Sequence, residues 1–299
     1  MSFHEGELLV QERAGVLSDA QRTGQILRRA ISPGPRAFLA ERRFVVLTTA
    51  TADDHVWVSV LVGAPGFLEP SEDGHRLHVS AAPRGDDPVV QALRPGASVG
   101  LVAIDFTARR RFRVNGTVVT AGAELLVDVR EAYGNCPKYI QGYRPAPDGP
   151  VLQGKARSSE LLDDDQRRWI QRAETFFLGT LHPEAGADAS HRGGGPGFVR
   201  VTGPRELTWG DYPGNALFNS LGNAAVHPAA GLLFLDGKTG STLQLSGKLS
   251  IDWSSESAAA IPGAERVLRF GVNRVVQIDG AIPLRWANGE PSPFNPPVS

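Results

Sequence analysis

Short apolar runs alternate with clusters of Gly, Pro and Asp along the chain, and this pattern predicts many short β-strands. The predicted strands of the first half are residues 44–49, 55–62, 77–81, 99–105 and 112–120. Those of the second half are residues 197–201, 206–210, 231–236 and 242–252. Strands this short, separated by Gly-containing turns, favour small antiparallel barrels.

Helical periodicity is clearest at residues 163–177, which begin with an acidic run. The apolar stripe of this predicted helix consists of Trp169, Ala173, Phe176 and Phe177. A second, polar helix is predicted near residues 18–30. We therefore expect a mainly β chain with some α-structure, of the α+β class, with its helices packed outside the barrels.

The two halves of this pattern are copies of one another. The string VGAPGF contains Pro65 and the string GGGPGF contains Pro196, an offset of 196 − 65 = 131 residues. The same offset relates three further pairs, which are Ser59 and Ser190, Gly100 and Gly231, and Val114 and Leu245. A register kept across separated landmarks indicates that one structural unit is duplicated.

A length of 299 residues accommodates two such units. The predicted organisation is an N-terminal helical extension (residues 1–36), a first barrel (37–130), a linker (131–162), a second barrel (163–286) and a tail (287–299). The linker contains the motif YGNCPKYIQ. The tail is so rich in Pro that no strand is expected in it.

Composition and charge exclude several classes of function. The 31 basic and 32 acidic residues leave a formal charge of −1, so no global field favours nucleic acid as a partner. The single cysteine, Cys136, excludes an intramolecular disulfide and a multi-cysteine metal cluster, and it fits a reducing compartment. No secretory signal pattern and no long apolar window is found, so we expect a cytoplasmic protein without a membrane partner.

The sequence does not support two familiar catalytic motifs, the P-loop and the nucleophile elbow. The string GLLFLDGKT resembles a phosphate-binding P-loop, but Lys238 and Thr239 lie between two predicted strands rather than at the start of a helix, which favours a hairpin turn. No G-x-S-x-G motif is present. The seven histidines include no H-x-x-x-H pair, so no metal site is predicted.

Features that occur in only one copy are candidates for ligand binding. In the second copy, Arg192 precedes three glycines, which places a cation beside a backbone that can approach a phosphate; a plain glycine-rich turn is the alternative. Asn215, Asn219 and Asn223 recur every four residues and would line one side of a helix, where they would bind a polar ligand or face solvent.

The first copy contributes a run of arginines that leads into a strand. Strand alternation places Arg111 and Arg113 on one face and Arg110 on the other, so the first two form a pair of charges suited to an anion or a solvated edge. In the linker, the motif that holds Cys136 and Lys138 is too specific for a spacer. The thiol is either a reactive group or a packing residue.

The second copy, from SHRGGGPGFVRV through GNALFNSLGNAAVHPAAGLLFLDGKTGSTLQLSGKLSIDW, resembles the flavin-binding split barrel of the pyridoxamine 5'-phosphate oxidase superfamily. The whole chain, with FHEGELLVQERAG at its start and YGNCPKYIQ in its middle, resembles the double-length oxidase-related flavin-nucleotide-binding proteins over about residues 3–286. The resemblance implies two tandem split β-barrels with flanking helices, paired within the chain as a pseudo-dimer that binds FMN. A homodimer of the whole chain is a further possibility.

The resemblance also implies a cofactor site on the second barrel. The implied FMN-binding residues are His191, Arg192, Gly193, Asn215, Asn219 and Asn223 of the second copy, Arg111 and Arg113 of the facing barrel, and Lys138 of the linker. His191 or Lys138 would stabilise negative charge on the reduced ring. The helix start departs from that of the true oxidase, which carries Ser, Arg and Lys there. The first copy has Arg84-Gly85-Asp86-Asp87 instead of the asparagines, so we expect one functional site.

The function implied is that of an FMN-dependent oxidoreductase, in which the flavin does redox work on a small molecule and no catalytic side chain is assigned. The alternatives are a non-catalytic module that binds or stores a flavin or haem, and an electron-transfer partner of a separate reductase. The sequence leaves open the substrate and the choice among FMN, deazaflavin and haem.

Overall fold

The computed structural model describes residues 3–296 and contains one antiparallel sheet from each half of the chain. The N-terminal helices are α1 (Glu5–Arg13), α2 (Leu17–Gly24) and α3 (Gly34–Ala40). The strands that follow are β1 (Phe44–Ala50), β2 (Val56–Val62), β3 (Leu68–Pro70), β4 (Arg76–Val79), β5 (Ser98–Asp105), β6 (Arg110–Ala121) and β7 (Leu125–Asn135), with a short 3-10 helix at Pro88–Gln91.

The linker contains two short strands, β8 (Gly142–Ala146) and β9 (Arg157–Ser159). The second half comprises α4 (Asp164–Arg172), β10 (Thr175–His182), β11 (Gly186–Gly193), β12 (Val199–Gly203), β13 (Glu206–Asp211), α5 (Asn219–Val226), β14 (Ala229–Leu235), β15 (Thr242–Asp252), α6 (Ser255–Ala259), β16 (Arg266–Ile278) and β17 (Arg285–Glu290).

Both sheets have the same strand order. The first is β2-β1-β5-β6-β7-β4-β3 and the second is β11-β10-β14-β15-β16-β13-β12, so each strand has its counterpart at the same place. Strand β9 adds to the second sheet beside β16, and β8 pairs with β17. The chain is therefore a tandem of two split β-barrels with flanking helices.

The repeated PGF turn has a packing reason. A Cβ on Gly63 would lie 2.4 Å from the ring of Phe67, and a Cβ on Gly194 would lie 2.5 Å from the ring of Phe198. In each barrel the buried phenylalanine thus lies directly on the backbone of its own turn, and only Gly leaves room for it.

Beyond its two barrel cores, the protein has a third apolar cluster that joins them. It contains Val46, Val58 and Val102 of the first barrel and Phe177 and Leu233 of the second, all buried. Two equivalent glycines allow the close approach: a Cβ on Gly100 would lie 2.6 Å from the backbone of Asp188, and a Cβ on Gly231 would lie 2.6 Å from the carbonyl oxygen of Val56. The two barrels thus form the pseudo-dimer predicted from the sequence.

The helix predicted at residues 163–177 is wrong in its second half. Helix α4 ends at Arg172, Ala173 is already extended, and Phe176 and Phe177 lie on β10. The two rings point to opposite sides of the strand, Phe176 into the second barrel core and Phe177 into the cluster between the barrels. Adjacent buried aromatics fit the double-sided burial of this strand better than a helix stripe.

Other sequence-based boundaries also shift. Strand β7 continues to Asn135, five residues beyond the expected end of the first barrel at residue 130. Strand β17 occupies Arg285–Glu290, so the tail does contribute a strand. This strand pairs only with β8, which leaves its other edge free of ladder bonds, the situation in which nearby Pro is tolerated.

Candidate functional site

A cavity of about 480 Å³ lies where β6 and the linker of the first half meet β11, the β13–α5 loop and α5 of the second. Val16 and three residues of helix α2 also line it, namely Asp19, Arg22 and Thr23. The sequence-predicted site residues that line it are Arg111, Arg113, Lys138, His191, Arg192, Gly193, Asn215 and Asn219. Asn223 is not among the residues that line this cavity.

Arg111 is the distinctive charge of the cavity. Its guanidinium donates to Nδ1 of His191 at 3.0 Å, and its buried Nε has no hydrogen-bond partner. No carboxylate within residues 3–296 forms an ion pair with it. Burial, with the charges of Arg113 and Arg192, lowers the pKa of Arg111 to about 10. At neutral pH the cavity therefore contains a cation without a counter-ion from the described chain.

His191 is neutral, contrary to the cationic role that the resemblance allowed it. Burial, Arg111 and Arg192 hold the pKa of His191 well below its ordinary value. Because the guanidinium can only donate, Nδ1 must accept and the proton must be on Nε2, which lies 3.4 Å from the hydroxyl of Thr175. His191 thus orients Arg111 and offers no positive charge of its own.

Arg113 lies deeper and is ion-paired with the second barrel. It forms an ion pair with Asp188 of β11, and Asp188 also accepts from Ser220 at 2.6 Å. The hydroxyl of Ser220 also lies 3.1 Å from that of Ser190. This network, which crosses between the barrels, fixes one wall of the cavity and leaves Arg111 as the cavity-lining arginine of that strand without a carboxylate partner.

Arg192 has a partner as well. Its guanidinium lies 2.8 Å from Asp211, and the other carboxylate oxygen of Asp211 lies 3.2 Å from Arg266. Arg266 also pairs with Glu265, which lines the cavity, so the two guanidinium groups at this end are matched by two carboxylates. The Nε atoms of both arginines are buried without partners.

The three asparagines do not form one row. Asn215 precedes α5 and donates to Asn135 at 2.9 Å; Asn219 begins the helix and donates to Glu7 at 2.7 Å; Asn223 donates to Thr180 at 3.1 Å. Helix α5 begins only at Asn219, because Ala216 and Phe218 are both in the left-handed region. The four-residue spacing therefore spans a loop and a helix.

The linker motif covers the open side of the cavity. Cys136 and Lys138 are half-buried there, and the hydroxyl of Tyr139 donates to the carbonyl of Pro213 at 2.9 Å. A Cβ on Gly193 would lie 2.0 Å from the carbonyl oxygen of Tyr139, so this glycine admits the linker rather than a phosphate. The strand part of the motif, Tyr133 to Asn135, belongs to β7.

Backbone strain is concentrated at this cavity. Of the five non-glycine residues with positive φ in the described chain, three line it: Tyr139 (68°), Ala216 (62°) and Phe218 (60°). Each such residue costs on the order of 1–2 kcal/mol and persists only where its surroundings fix it. Both loops around the opening are thus held in costly conformations, as is common at binding sites.

The equivalent crevice of the other barrel is filled. Thr242 and Gln244 occupy the positions equivalent to Arg111 and Arg113. Gln244 donates to Asp87 at 3.2 Å and to the carbonyl of Val58 at 3.0 Å, and Asp87 also accepts from Ser59, all of them buried. This side therefore lacks the two arginines that line the first cavity.

Sequence reasoning missed two residues that line the cavity, Asp211 and Ser220, and two that form ion pairs with its lining residues, Asp188 and Arg266. Each is joined to its partner across 19 to 75 residues of chain, a pairing that only the folded barrels create. The available signal was modest: Asp188 is three residues before His191 in the string that also carries Arg192.

The cavity suits a phosphorylated planar ligand. Its orphaned donors are Nε of Arg111, Arg113 and Arg192 and the indole nitrogen of Trp209, each buried without a partner. Donors aimed at an anion are the fit expected for a phosphate, while Phe198, Trp209 and Phe218 supply apolar surface for a ring. A bound flavin would supply electron or hydride transfer, and the residues described here would hold and orient it.

No family model matches the chain, and no curated protein matches it in sequence. Solved structures that resemble it include a putative pyridoxamine 5'-phosphate oxidase from Lactobacillus delbrueckii, with 11% identity over 39% of this chain and 94% of that one (TM-score 0.34). HupZ from Group A Streptococcus gives 10% identity over 38% and 92% (TM-score 0.32), and an F420 reductase gives 12% over 36% and 90% (TM-score 0.27).

Within residues 3–296 there is no helix of the length and hydropathy that crossing a bilayer requires.

Proposed function

We propose that this protein binds FMN in the cavity between its two barrels and uses it as an oxidoreductase acting on a small molecule. The observation that carries the proposal is Arg111, a cavity-lining guanidinium without a carboxylate partner in the described chain. Such a charge is costly in the absence of an anion, and the flavin phosphate supplies one.

The remaining residues have supporting roles. Arg192, paired with Asp211, contributes a buried N–H donor without a partner, and Lys138 of the linker also lines the cavity. His191, neutral and donating through Nε2, keeps Arg111 in position. Asn215 and Asn219 stabilise the loop and helix start rather than the ligand, since their amides already have protein partners.

The test compares two neighbouring arginines. Arg111→Met removes the cavity charge at similar volume, whereas Arg110→Met removes an exposed charge that lies over the ring of Phe38 on the opposite face of the same strand. The flavin-free protein is titrated with FMN, and binding is monitored by quenching of flavin fluorescence. Arg111→Met should weaken binding by roughly tenfold to a hundredfold, and Arg110→Met should not.

Wild-type protein that takes up no FMN at micromolar concentrations would contradict the proposal. If FMN binds, anaerobic addition of NADPH and an acceptor screen separate an oxidoreductase from a storage module, because only the former turns over. A requirement for an added reductase would indicate an electron-transfer partner. For haem, His191 offers no free ring nitrogen, since both face protein groups.

A further inference from the structure

A second cavity, of about 710 Å³, lies on the other side of Asn219, between α1, β6, β7 and the turn that joins β10 to β11. Asn219 is the residue that both cavities share. The inner wall is made of carboxylates and carboxamides, namely Glu7, Asn115, Glu131, Asp188, Asn219 and Asn223. This cavity is not used by the proposed flavin function.

Asn115 has an unsatisfied acceptor on this wall. Its side chain is 3% exposed, and its amide nitrogen donates to Glu131 at 3.1 Å and to Asp188 at 3.3 Å. Those two carboxylates fix the orientation of the amide. Ionised carboxylates only accept hydrogen bonds, so the amide must turn its NH2 group, and not its oxygen, toward them. The amide oxygen is then buried without a partner. Buried acceptors normally pair with an N–H or O–H donor, which a ligand in this cavity would supply.

The position of Asn115 is specific to the first barrel. Both barrels have an irregularity at the same place, between Asn115 and Gly116 on β6 and between Ser246 and Gly247 on β15. The bulge is therefore a shared feature of the barrel fold. The carboxamide of Asn115 is not, since the second barrel has Ser246 at this position.

The wall also contains two buried carboxyl groups, those of Glu7 and Glu131, whose ionised forms are disfavoured by burial. Burial raises the pKa of Glu7 to about 7, with Glu131 adding to the effect. Burial likewise raises the pKa of Glu131, although Arg113 and Arg130 oppose it. Burial lowers the pKa of the neighbouring His4 to about 4, so this histidine provides no positive charge at neutral pH. A ligand that brings a positive charge and N–H donors would favour the ionised form of both carboxyl groups.

A metal ion fits this wall poorly. Within the described residues, the group close enough to share one ion is His4, Glu5 and His182, and not the buried carboxylates. Both histidines accept backbone N–H groups at Nδ1, from Gly6 in one case and from Glu184 and Ala185 in the other. Their protons are therefore on Nε2, which leaves no lone pair for a metal.

We propose that this second cavity binds a small organic cation with N–H donors, a guanidinium or a primary ammonium, which donates to the amide oxygen of Asn115 and to the carboxylates of Glu131 and Glu7. The open rim, where Arg130 and Glu184 are exposed, gives access to such a ligand. The inference stands apart from flavin binding, since none of these three residues lines the first cavity.

The test is calorimetric titration of the full chain with agmatine, which carries both groups, at about pH 8 where Glu7 is ionised. Choline at matched ionic strength is the cation that lacks N–H donors. Glu131→Gln removes a wall carboxylate, and Glu124→Gln makes the same change at an exposed position of the neighbouring hairpin. Asn115→Ser copies the second barrel and is the variant to use if Glu131→Gln fails to fold.

We expect saturable agmatine binding that weakens about tenfold or more in Glu131→Gln and in Asn115→Ser, stays unchanged in Glu124→Gln, and exceeds choline binding. Absence of agmatine binding up to about 10 mM would overturn the proposal. Equal binding of choline and agmatine, equal affinity in both glutamate variants, or tight binding of Mg²⁺ in place of agmatine would overturn it as well.

Discussion

Arg111 shows how a single side chain can be poor for folding and good for binding. Its guanidinium lines a cavity with a neutral histidine as its partner, and its Nε has none. Arg192 differs because its guanidinium lies 2.8 Å from Asp211, a carboxylate that it shares with Arg266. Its charge therefore has a partner in the absence of a ligand. The two arginines therefore differ in what their removal should do.

We predict that Arg111→Met keeps or raises the stability of the flavin-free protein, because it removes a desolvated charge, while it weakens FMN binding. Arg192→Met should lower stability by about 1–3 kcal/mol, since it breaks the ion pair with Asp211, and should weaken FMN binding less. Urea unfolding of both variants without flavin measures the first effect. Loss of stability in Arg111→Met equal to that in Arg192→Met would contradict this account.

Glu7 should make stability depend on pH. Its pKa rises from 4.5 to about 7 on folding, so between those values the folded state binds more protons than the unfolded state. Its contribution to stability therefore falls as pH rises through this window and is constant above it. In Glu7→Gln this contribution is absent, so the difference in unfolding free energy between variant and wild type should change by on the order of 3 kcal/mol across the window.

The measurement is urea unfolding of both proteins at several pH values from about 4.5 to about 8. His4, whose pKa is lowered to about 4, acts with the opposite sign in both proteins and largely cancels in the difference. A difference that stays constant over the window would show that Glu7 is not buried as a carboxylate.

At the scale of elements, the loop from β13 to α5 was the hardest to predict. The asparagine spacing indicated a helix, but Ala216 and Phe218 adopt positive φ and delay the helix to Asn219. Nothing in either residue type signals this conformation. It accompanies the burial of Leu217 against Leu27 and Tyr133, and of Leu221 in the second barrel core.

This strain can be tested at Ala216. Ala216→Gly should raise stability by about 0.5–1 kcal/mol, because Gly adopts positive φ without steric cost, and should weaken FMN binding as the loop gains freedom. Ala123→Gly, at an exposed turn without positive φ, should instead lower stability slightly. Thermal unfolding and flavin titration measure both effects. A loss of stability in both variants would contradict the strained loop.

Strands that alternate or run as continuous apolar stretches were predictable, as β1, β2, β5 and β15 illustrate. Strands β10 and β11 were not. Strand β11 is built of small and polar residues around Asp188 and Ser190, which are buried by the other barrel rather than by their own hydrophobicity. A local pattern cannot show burial that a second unit provides.

At the scale of the whole molecule, the pairing of the barrels creates the proposed site. Gly100 lies against the backbone of Asp188, the residue that anchors Arg113, so the contact between barrels and the cavity wall are the same feature. The duplication was visible in the sequence as a constant offset. The ion pairs that cross between the copies were not, because each joins residues far apart in the chain.

We predict that Gly100→Ala pushes the barrels apart, lowers stability by about 2 kcal/mol or more, and weakens FMN binding. Gly122→Ala is the matched control, since a Cβ there meets nothing within 4 Å and its φ is not positive. Urea unfolding and flavin titration of both variants provide the measurement. Equal behaviour of the two variants would contradict a tight interface at Gly100.

The buried contact of Ser59, Asp87 and Gln244 has a consequence for stoichiometry. When two separate, identical subunits pair symmetrically, every mutation appears in both clefts, so neither can be given up without the other. Joining the copies in one polypeptide removes that restriction. Here one cleft is filled by the buried hydrogen bonds of Asp87, while the other contains Arg111 and Arg113. Each chain of 32.0 kDa should therefore saturate with a single equivalent of flavin, half the number expected of a symmetric pair.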